Sequence, residues 1–238
     1  MDIPLVIIAY ETYTFIKQMV EQMDKYFNTI IILDNNSQYP RLLEYYDELE
    51  AKDPKKYKIH RFNVNHGHLI YQKELVPLPP VYCLTDPDIG LNAEIPPTFV
   101  MDFYNLSLQH NAYKVGFAIE LDEAGFIKEN GFNTHQVKVQ GQYWKRRIGY
   151  INETDPLYES AIDTTFCLIN NNYRTGTGWC QGIHIRVAGK YTCKHLPWYE
   201  GYIEQNMPAE EYNYWKKGNS SSSFLQYKLT LNPAAKDS

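Results

Sequence analysis

Apolar positions in the first half of the chain change period several times, and each change marks an element. Leu5 to Ala9 is a short, continuous apolar run, the pattern of a strand buried on both faces. Phe15, Met19 and Met23 then recur every fourth residue, with Ile16, Val20 and Phe27 alongside, which predicts a helix with Thr14 as its cap. A second buried run, Ile30 to Leu33, stops abruptly at Asp34-Asn35-Asn36-Ser37. Helical spacing returns over residues 40 to 52 through Leu42, Leu43, Tyr46 and Leu49, and Tyr57 to Phe62 reads as a third strand. Strand and helix alternating at this spacing predict a parallel sheet with right-handed crossovers.

Past a loop rich in Asn, His and Gly (Asn63 to His68), the apolar strand Val81 to Thr85 ends in Asp86-Pro87-Asp88. Pro96 and Pro97 can open a helix through Phe99, Val100, Phe103 and Leu106. Val115, Phe117, Ile119 and Leu121 alternate, as in a half-exposed strand. Beyond residue 125 the pattern weakens to a helix near 135 to 147, strands at Ile162 to Ile169 and Ile183 to Val187, and a loop at His195 to Tyr199. The expected organisation is one α/β domain over residues 1–217, divided near residue 121, followed by a tail (218–238) that opens on Gly218 and four consecutive Ser and is expected to be mobile there. No internal repeat is present.

Composition narrows the class. The 238 residues suit one compact domain, and 44% hydrophobic with 21% charged residues is ordinary for a folded protein. The net charge of −5 argues against nucleic acid or an anionic membrane as the main partner, since both require clustered positive charge. Lys145-Arg146-Arg147 is the one dense basic run; it reads either as a solvated helix face or as a pyrophosphate contact. Cys83, Cys167, Cys180 and Cys193 show neither CxxC pairing nor zinc-ligand spacing, which fits a reduced, cytoplasmic setting. No signal-peptide pattern opens the sequence, and no stretch reaches the ~18 to 20 apolar residues of a membrane span. The 21 Tyr suit sugar or base stacking, but equally fill ordinary cores.

Candidate chemistry collects at strand ends, where open α/β sheets bind ligands. The first strand delivers Ala9, Tyr10 and Glu11, the second Asp34 and Asn36, the third leads to Asn65, His66 and Gly67, and the fourth delivers Asp86 and Asp88. Neither GxGxxG nor GxxxxGK[ST] follows the first strand, which weighs against dinucleotide enzymes and P-loop NTPases. In extended backbone, Asp86 and Asp88 point to one side, and Pro87 stiffens their presentation. Paired carboxylates suit Mg²⁺ or Mn²⁺; the same tripeptide is also good turn chemistry. His195 reads either as a packed histidine or as a third metal ligand. Asp163, expected inside an apolar strand, is a cap, a salt-bridge partner or a general base. Trp144, Trp179, Trp198 and Tyr199 are candidate sugar platforms, and each equally suits the core.

The ordered series Ile3-Pro4-Leu5-Val6-Ile7-Ile8-Ala9-Tyr10, Ile32-Leu33-Asp34-Asn35-Asn36-Ser37, Leu84-Thr85-Asp86-Pro87-Asp88, Ile162-Asp163-Thr164-Thr165-Phe166 and His195-Leu196-Pro197-Trp198-Tyr199 resembles GT-A glycosyltransferases, especially small bacterial and viral enzymes related to family 2. The resemblance spans about residues 3 to 200. It implies a Rossmann-like GT-A fold, with a mostly parallel or mixed central sheet flanked by helices. It also implies a nucleotide-sugar donor, UDP-sugar favoured, a glycan or glycolipid acceptor, and Mn²⁺ or Mg²⁺. On that analogy Ala9, Tyr10 and Glu11 border the base and ribose, Asp34 and Asn36 bond the nucleoside, and Asn65 lies with them. Asp86 reaches the ribose or a metal-bound water, Asp88 binds the metal and His195 completes its shell. Asp163 is the base of an inverting transfer, and the second half holds the acceptor site. Asn35-Asn36 stands where many members have Asp-Gly, which leaves UDP versus GDP open.

Three other readings compete. A retaining transferase would keep the metal site and need no base. A sugar-phosphate nucleotidyltransferase would require a glycine-rich basic segment where Tyr10 to Thr14 stands. A silent glycan- or nucleotide-binding protein would have no use for an intact carboxylate pair.

Overall fold

The computed structural model describes residues 2–176, 181–217, 219 and 222–231. Trp179, Cys180 and the opening Gly218, Ser220 and Ser221 of the tail lie outside the described residues. Ten strands form one sheet: β1 (Leu5–Ala9), β2 (Ile30–Asp34), β3 (Tyr57–Arg61), β4 (Val81–Thr85), β5 (Ile89–Leu91), β6 (Ala112–Ile119), β7 (Arg147–Tyr150), β8 (Pro156–Glu159), β9 (Cys167–Asn170) and β10 (Ile183–His195). Their order is β3-β2-β1-β4-β9-β6-β10-β8-β7, with β5 paired to β10 off this path. The helices are α1 (Tyr13–Met23), α2 (Pro40–Lys52), α3 (Phe99–His110), α4 (Phe132–Gly141), α5 (Tyr202–Asn206), α6 (Ala209–Lys216) and α7 (Ser223–Leu231). β3, β2, β1 and β4 are parallel, as the alternating pattern predicts. β9 then runs antiparallel between β4 and β6, so the sheet as a whole is mixed.

The unbroken apolar run of β1 follows from its place in this sheet. Leu5, Ile7 and Ala9 face one core, with Phe15, Ile16 and Met19 of α1, while Val6 and Ile8 face a second, with Leu33, Leu84 and Ile169. Both faces are dry, so both alternations must be apolar.

Several expectations are corrected. Thr14 does not cap α1. The helix starts at Tyr13, and the Thr14 amide and hydroxyl both donate to the Glu211 carboxylate of α6, each at 2.7 Å. An acceptor from another helix thus satisfies the N-terminus. β6 is buried on both faces rather than one: Val115, Phe117 and Ile119 face the main core, and the 162–167 segment packs over the other face. Its second face carries Lys114, Gly116 and Ala118. A Cβ at Gly116 would overlap the Phe166 carbonyl and Cys167, so only glycine admits that approach. Leu121 falls beyond the strand.

Of the strand expected over Ile162 to Ile169, only Cys167 onward is strand. The preceding carbonyls are taken singly: Ile162 and Asp163 by Lys114 Nζ, Thr164 by the Asp86 amide and Phe166 by the Phe117 amide. Asp163 is therefore an exposed loop residue and not a strand residue. β10 continues eight residues past Val187, through a register shift between Val187 and Thr192, and His195 is its last residue. The helix expected near 135 to 147 ends as α4 at Gly141 with a 3₁₀ turn over Gln142–Trp144, and Arg147 opens β7. In the tail, α7 joins the main core through Phe224 and Leu225. Among the described residues no helix is long and apolar enough to cross a membrane.

Glu211 is fully buried and its carboxylate is used up by Thr14. Removing it leaves the Thr14 amide orphaned at a buried helix end. Glu211→Ala is expected to cost about 1–3 kcal/mol, read as a lower denaturant midpoint at unchanged slope.

Candidate functional site

The parallel strands β1 and β4 are adjacent, with Ile7 opposite Thr85, so Ala9 and Tyr10 leave the sheet at the same edge as Asp86. Between that edge, α4 and the loop at 163–165 lies a cleft of about 900 Å³. It is lined by Ala9, Tyr10, Asn65, Asp86, Asp88, Asp163, His195 and Trp198 among the residues singled out from sequence.

The centre of the cleft depends on β5. Directly after Asp86-Pro87-Asp88 the chain pairs with the end of β10, setting Ile89 opposite His195. The Leu196 amide donates to the Asp88 carbonyl at 2.9 Å, and His195 Nε2 lies 3.6 Å from Asp88 Oδ2. Burial pulls the His195 pKa down to about 4, against the upward pull of Asp86 and Asp163. The imidazole is thus neutral near pH 7, and its contact with Asp88 is no ion pair. Burial pushes both carboxyls well above the usual range, and for Asp86 the charge of Asp88 adds to it. Asp88 Oδ1 and His195 Nδ1 are buried without any partner. Asp86 is better provided for: Thr164 Oγ1 donates to its Oδ2. Trp198 stacks on the imidazole, with ring centroids 4.3 Å apart.

Orphaned buried polar atoms are rare in folded proteins. Eight such side-chain atoms occur among the described residues, and five of their parents (Thr12, Asp88, Gln140, Arg186 and His195) line this cleft. That concentration marks a place completed by a ligand. A divalent cation would satisfy the atoms beside Asp88: an acidic oxygen and a neutral imidazole nitrogen suit Mn²⁺, and the carboxylate suits Mg²⁺ as well. Among the described residues no three His, Cys, Asp or Glu side chains converge tightly enough to hold a metal alone. Asp88 and His195 form the close pair, and Asp86 is turned to Thr164. Such a pair fits an ion whose remaining ligands are water and phosphate oxygens.

The other sequence candidates are placed as follows. Glu11 sits at φ 57°, a left-handed conformation unusual for a side chain with a Cβ. Its carboxylate accepts from the Gln38 and Tyr39 amides, and Ser37 Oγ accepts from its own amide, so it braces the start of α2 and faces away from the cleft. Asp34 is buried and accepts from Ser37 and Tyr46. Asn36 lies off the cleft, and its neighbour Asn35 lines it. Asn35 holds the loop below Tyr10 by accepting from the His66 amide at 2.9 Å. Trp198 is buried, with one face on His195 and its Nε1 donating to Ser223, while Tyr199 and Trp144 lie off the cleft. Trp179 is outside the described residues. Arg146 pairs with Glu159, Arg147 reaches Tyr150, and neither lines the cleft.

Sequence reasoning missed Lys114, Thr164, Gln140 and Arg186. For two of them a signal was present: Lys114 and Arg186 are the long cations inside strands whose other residues are mostly apolar, where a charge needs a purpose.

No protein-family model matches the chain, and no curated protein matches its sequence. Solved structures do match in fold. A mannosyltransferase from Pyrobaculum calidifontis, in complex with GDP-Man and Mn²⁺, superposes with a TM-score of 0.53 at 9% identity, covering 85% of this chain and 59% of its own. GalNAc-T7 with UDP, GalNAc and Mn²⁺ gives 0.52 at 15% identity, covering 96% and 47%. The chain thus has the GT-A glycosyltransferase fold, as the sequence resemblance implies, and spans about half to three-fifths of the length of these two structures.

A buried carboxylate without a partner is a stability cost that a ligand relieves. Its raised pKa means stability is fully present when Asp88 is protonated and is lost as pH rises through that pKa. Asp88→Asn is therefore expected to melt above wild type at mildly alkaline pH, with the advantage fading on acidification. The same variant should bind Mn²⁺ at least about tenfold more weakly in an electron paramagnetic resonance titration. A lower melting temperature with unchanged Mn²⁺ affinity would count against this site.

Proposed function

We propose that the chain is a metal-dependent glycosyltransferase that moves a sugar from a nucleoside diphosphate, UDP before GDP, onto a glycan or other hydroxyl acceptor with inversion. The observation that carries this reading is the unpartnered Asp88–His195 pair at the carboxyl edge of the parallel strands. It is supported by the fold shared with two transferases whose structures hold a nucleotide or nucleotide sugar with Mn²⁺.

On this reading Ala9, Tyr10 and Asn65 form the wall for the nucleoside, with Asn35 fixing the loop that carries Asn65. Tyr10 and Asn65 also bond each other. Asp88 and His195 hold Mn²⁺ or Mg²⁺, with Asp86 beside them bonding the ribose or a metal-bound water. When bound, the cation supplies positive charge to the departing diphosphate. Asp163 stands on the loop that closes the cleft, next to the Thr164 that bonds Asp86. Its carboxylate takes the proton from the acceptor hydroxyl as that oxygen bonds to the anomeric carbon. The bond from that carbon to the diphosphate oxygen breaks, and the electron pair leaves with the diphosphate. Attack from the opposite face inverts the centre. Lys114, by taking the Ile162 and Asp163 carbonyls at 3.1 and 2.8 Å, holds this carboxylate in register with the metal pair.

Calorimetry with UDP and GDP tests the donor site: binding should need Mn²⁺, vanish with EDTA and vanish in Asp88→Ala. Nucleotide binding indifferent to metal would sink the reading. For the base, Asp163→Asn should lower kcat by ~10² to 10⁴, with the donor KM little changed. An enzyme that keeps its rate without this carboxylate would be a retaining transferase.

A further inference from the structure

We propose that the α4 wall of the cleft is a subsite for an anionic substituent, a carboxylate or a phosphate, with Arg186 as its cation and the acceptor sugar as its bearer. That the group belongs to an acceptor rests on the glycosyltransferase reading above; the preference for an anion rests on Arg186 itself.

Arg186 is on β10, only 3% exposed, and lines the cleft. Its Nε donates to the Ala161 carbonyl at 2.9 Å, and its guanidinium lies 4.4 Å from the centre of the Tyr143 ring. Those two contacts fix the plane of the fork. Nη1 is buried and has no partner. Burial pulls its pKa down, yet a guanidinium does not lose its proton in a protein. A charge that can be neither shed nor solvated calls for an opposite charge.

No carboxylate of the described residues pairs with it. Asp86 is bonded to Thr164, and Asp88 lies beside His195. Asp163, which attracts Arg186 through space, is exposed and makes no ion pair with it. The partner must therefore come from outside, and a rigid guanidinium fork matches the two oxygens of a carboxylate or phosphate.

The neighbours favour a sugar carrying that anion. Gln140 Oε1, from α4, is a second buried atom with no partner, and it is an acceptor, which suits a hydroxyl. Gln136, one turn earlier, is buried and lines the same wall. Place in the sheet separates this wall from the metal pair. Arg186 is opposite Gly116 in mid-strand, whereas His195 ends β10 past the register of Ile119. The wall thus belongs to α4 and the 161–163 loop, on the Asp163 side, away from Ala9, Tyr10 and Asn65. An anion held there sets its own sugar beside the proton acceptor.

The test measures sugar binding by saturation-transfer NMR with UDP and diamagnetic Mg²⁺ present, using glucose, glucuronate and glucose 6-phosphate as probes. The wild type should bind one or both anionic sugars at least about tenfold more tightly than glucose; which of the two says whether the group is a carboxylate or a phosphate. Arg186→Gln should remove that preference, Arg186→Lys should restore part of it, and UDP affinity should be unmoved in both. Equal binding of glucose and its anionic relatives by wild type would overturn the proposal, without needing any variant to fold. So would loss of UDP binding in Arg186→Gln, which would move Arg186 to the donor diphosphate. Failure of the donor reading alone would show instead as absent UDP binding in wild type, with the anion preference intact.

Discussion

The three-residue pairing of β5 with the end of β10 is the constraint on which the rest of the cleft depends. β4 and β10 are separated in the sheet by β9 and β6, and Asp88 and His195 are over a hundred residues apart in sequence. They meet because the chain leaving β4 pairs antiparallel with the last turn of the sheet. So short a strand would be weak on its own. Its free edge is closed by one side chain: Gln22 of α1 accepts from the Leu91 amide at 3.1 Å and donates to the Ile89 carbonyl at 3.3 Å. A helix amide stands in for a neighbouring strand. The site is thereby tied to the parallel half through β4, to the mixed half through β10 and to the helical layer through α1.

A second tie runs from Lys114. Its ammonium is buried and is accommodated by the Ile162 and Asp163 carbonyls and the Tyr71 hydroxyl, to all of which it donates. The next residue, Thr164, bonds Asp86 by side chain and backbone alike. Strand β6, the loop and Asp86 therefore form one hydrogen-bonded chain, and a shift in any one of them is felt at the others. Placing the 162–165 loop on such a support limits its freedom without a rigid strand, and it keeps the Asp163 side chain exposed.

The sequence made the first half legible because its strands are dry on both faces, and that demand writes an unbroken apolar run. The ends of those runs pointed at Ala9, Tyr10, Asp86 and Asp88, all in the cleft. The same rule also pointed at Glu11 and Asp34, whose carboxylates are consumed by local amides and hydroxyls. Sequence position shows that a carboxylate reaches a strand end, not whether a neighbouring Ser37 or Tyr46 has already claimed it. Alternation of Val115, Phe117 and Ile119 misled at β6, because the residues between them are buried too and Gly116 is a tight packing point against Phe166 and Cys167. In the second half, loop carbonyls are satisfied by a lysine rather than a ladder, and that leaves no periodic trace. His195 was readable as a candidate, but its meeting with Asp88 depends on strand pairing across the chain.

The charges that remain unmatched sort by sign. At the β5 end lie two carboxyls and a neutral imidazole, and burial opposes ionisation of the acids. At the α4 end lies a guanidinium with an unpartnered nitrogen. Had these groups been able to meet, they would have neutralised each other and the fold would gain stability. The loop at 161–165 keeps them apart: Ala161 engages Arg186, Thr164 engages Asp86, and Lys114 anchors the stretch between. The separation costs the empty protein stability, and on the proposed reading a cation at one end and an anion at the other would recover it. A cleft polarised in this way is what the proposed transfer would need, with a metal–phosphate assembly on one side, a negatively charged acceptor on the other and Asp163 exposed between them.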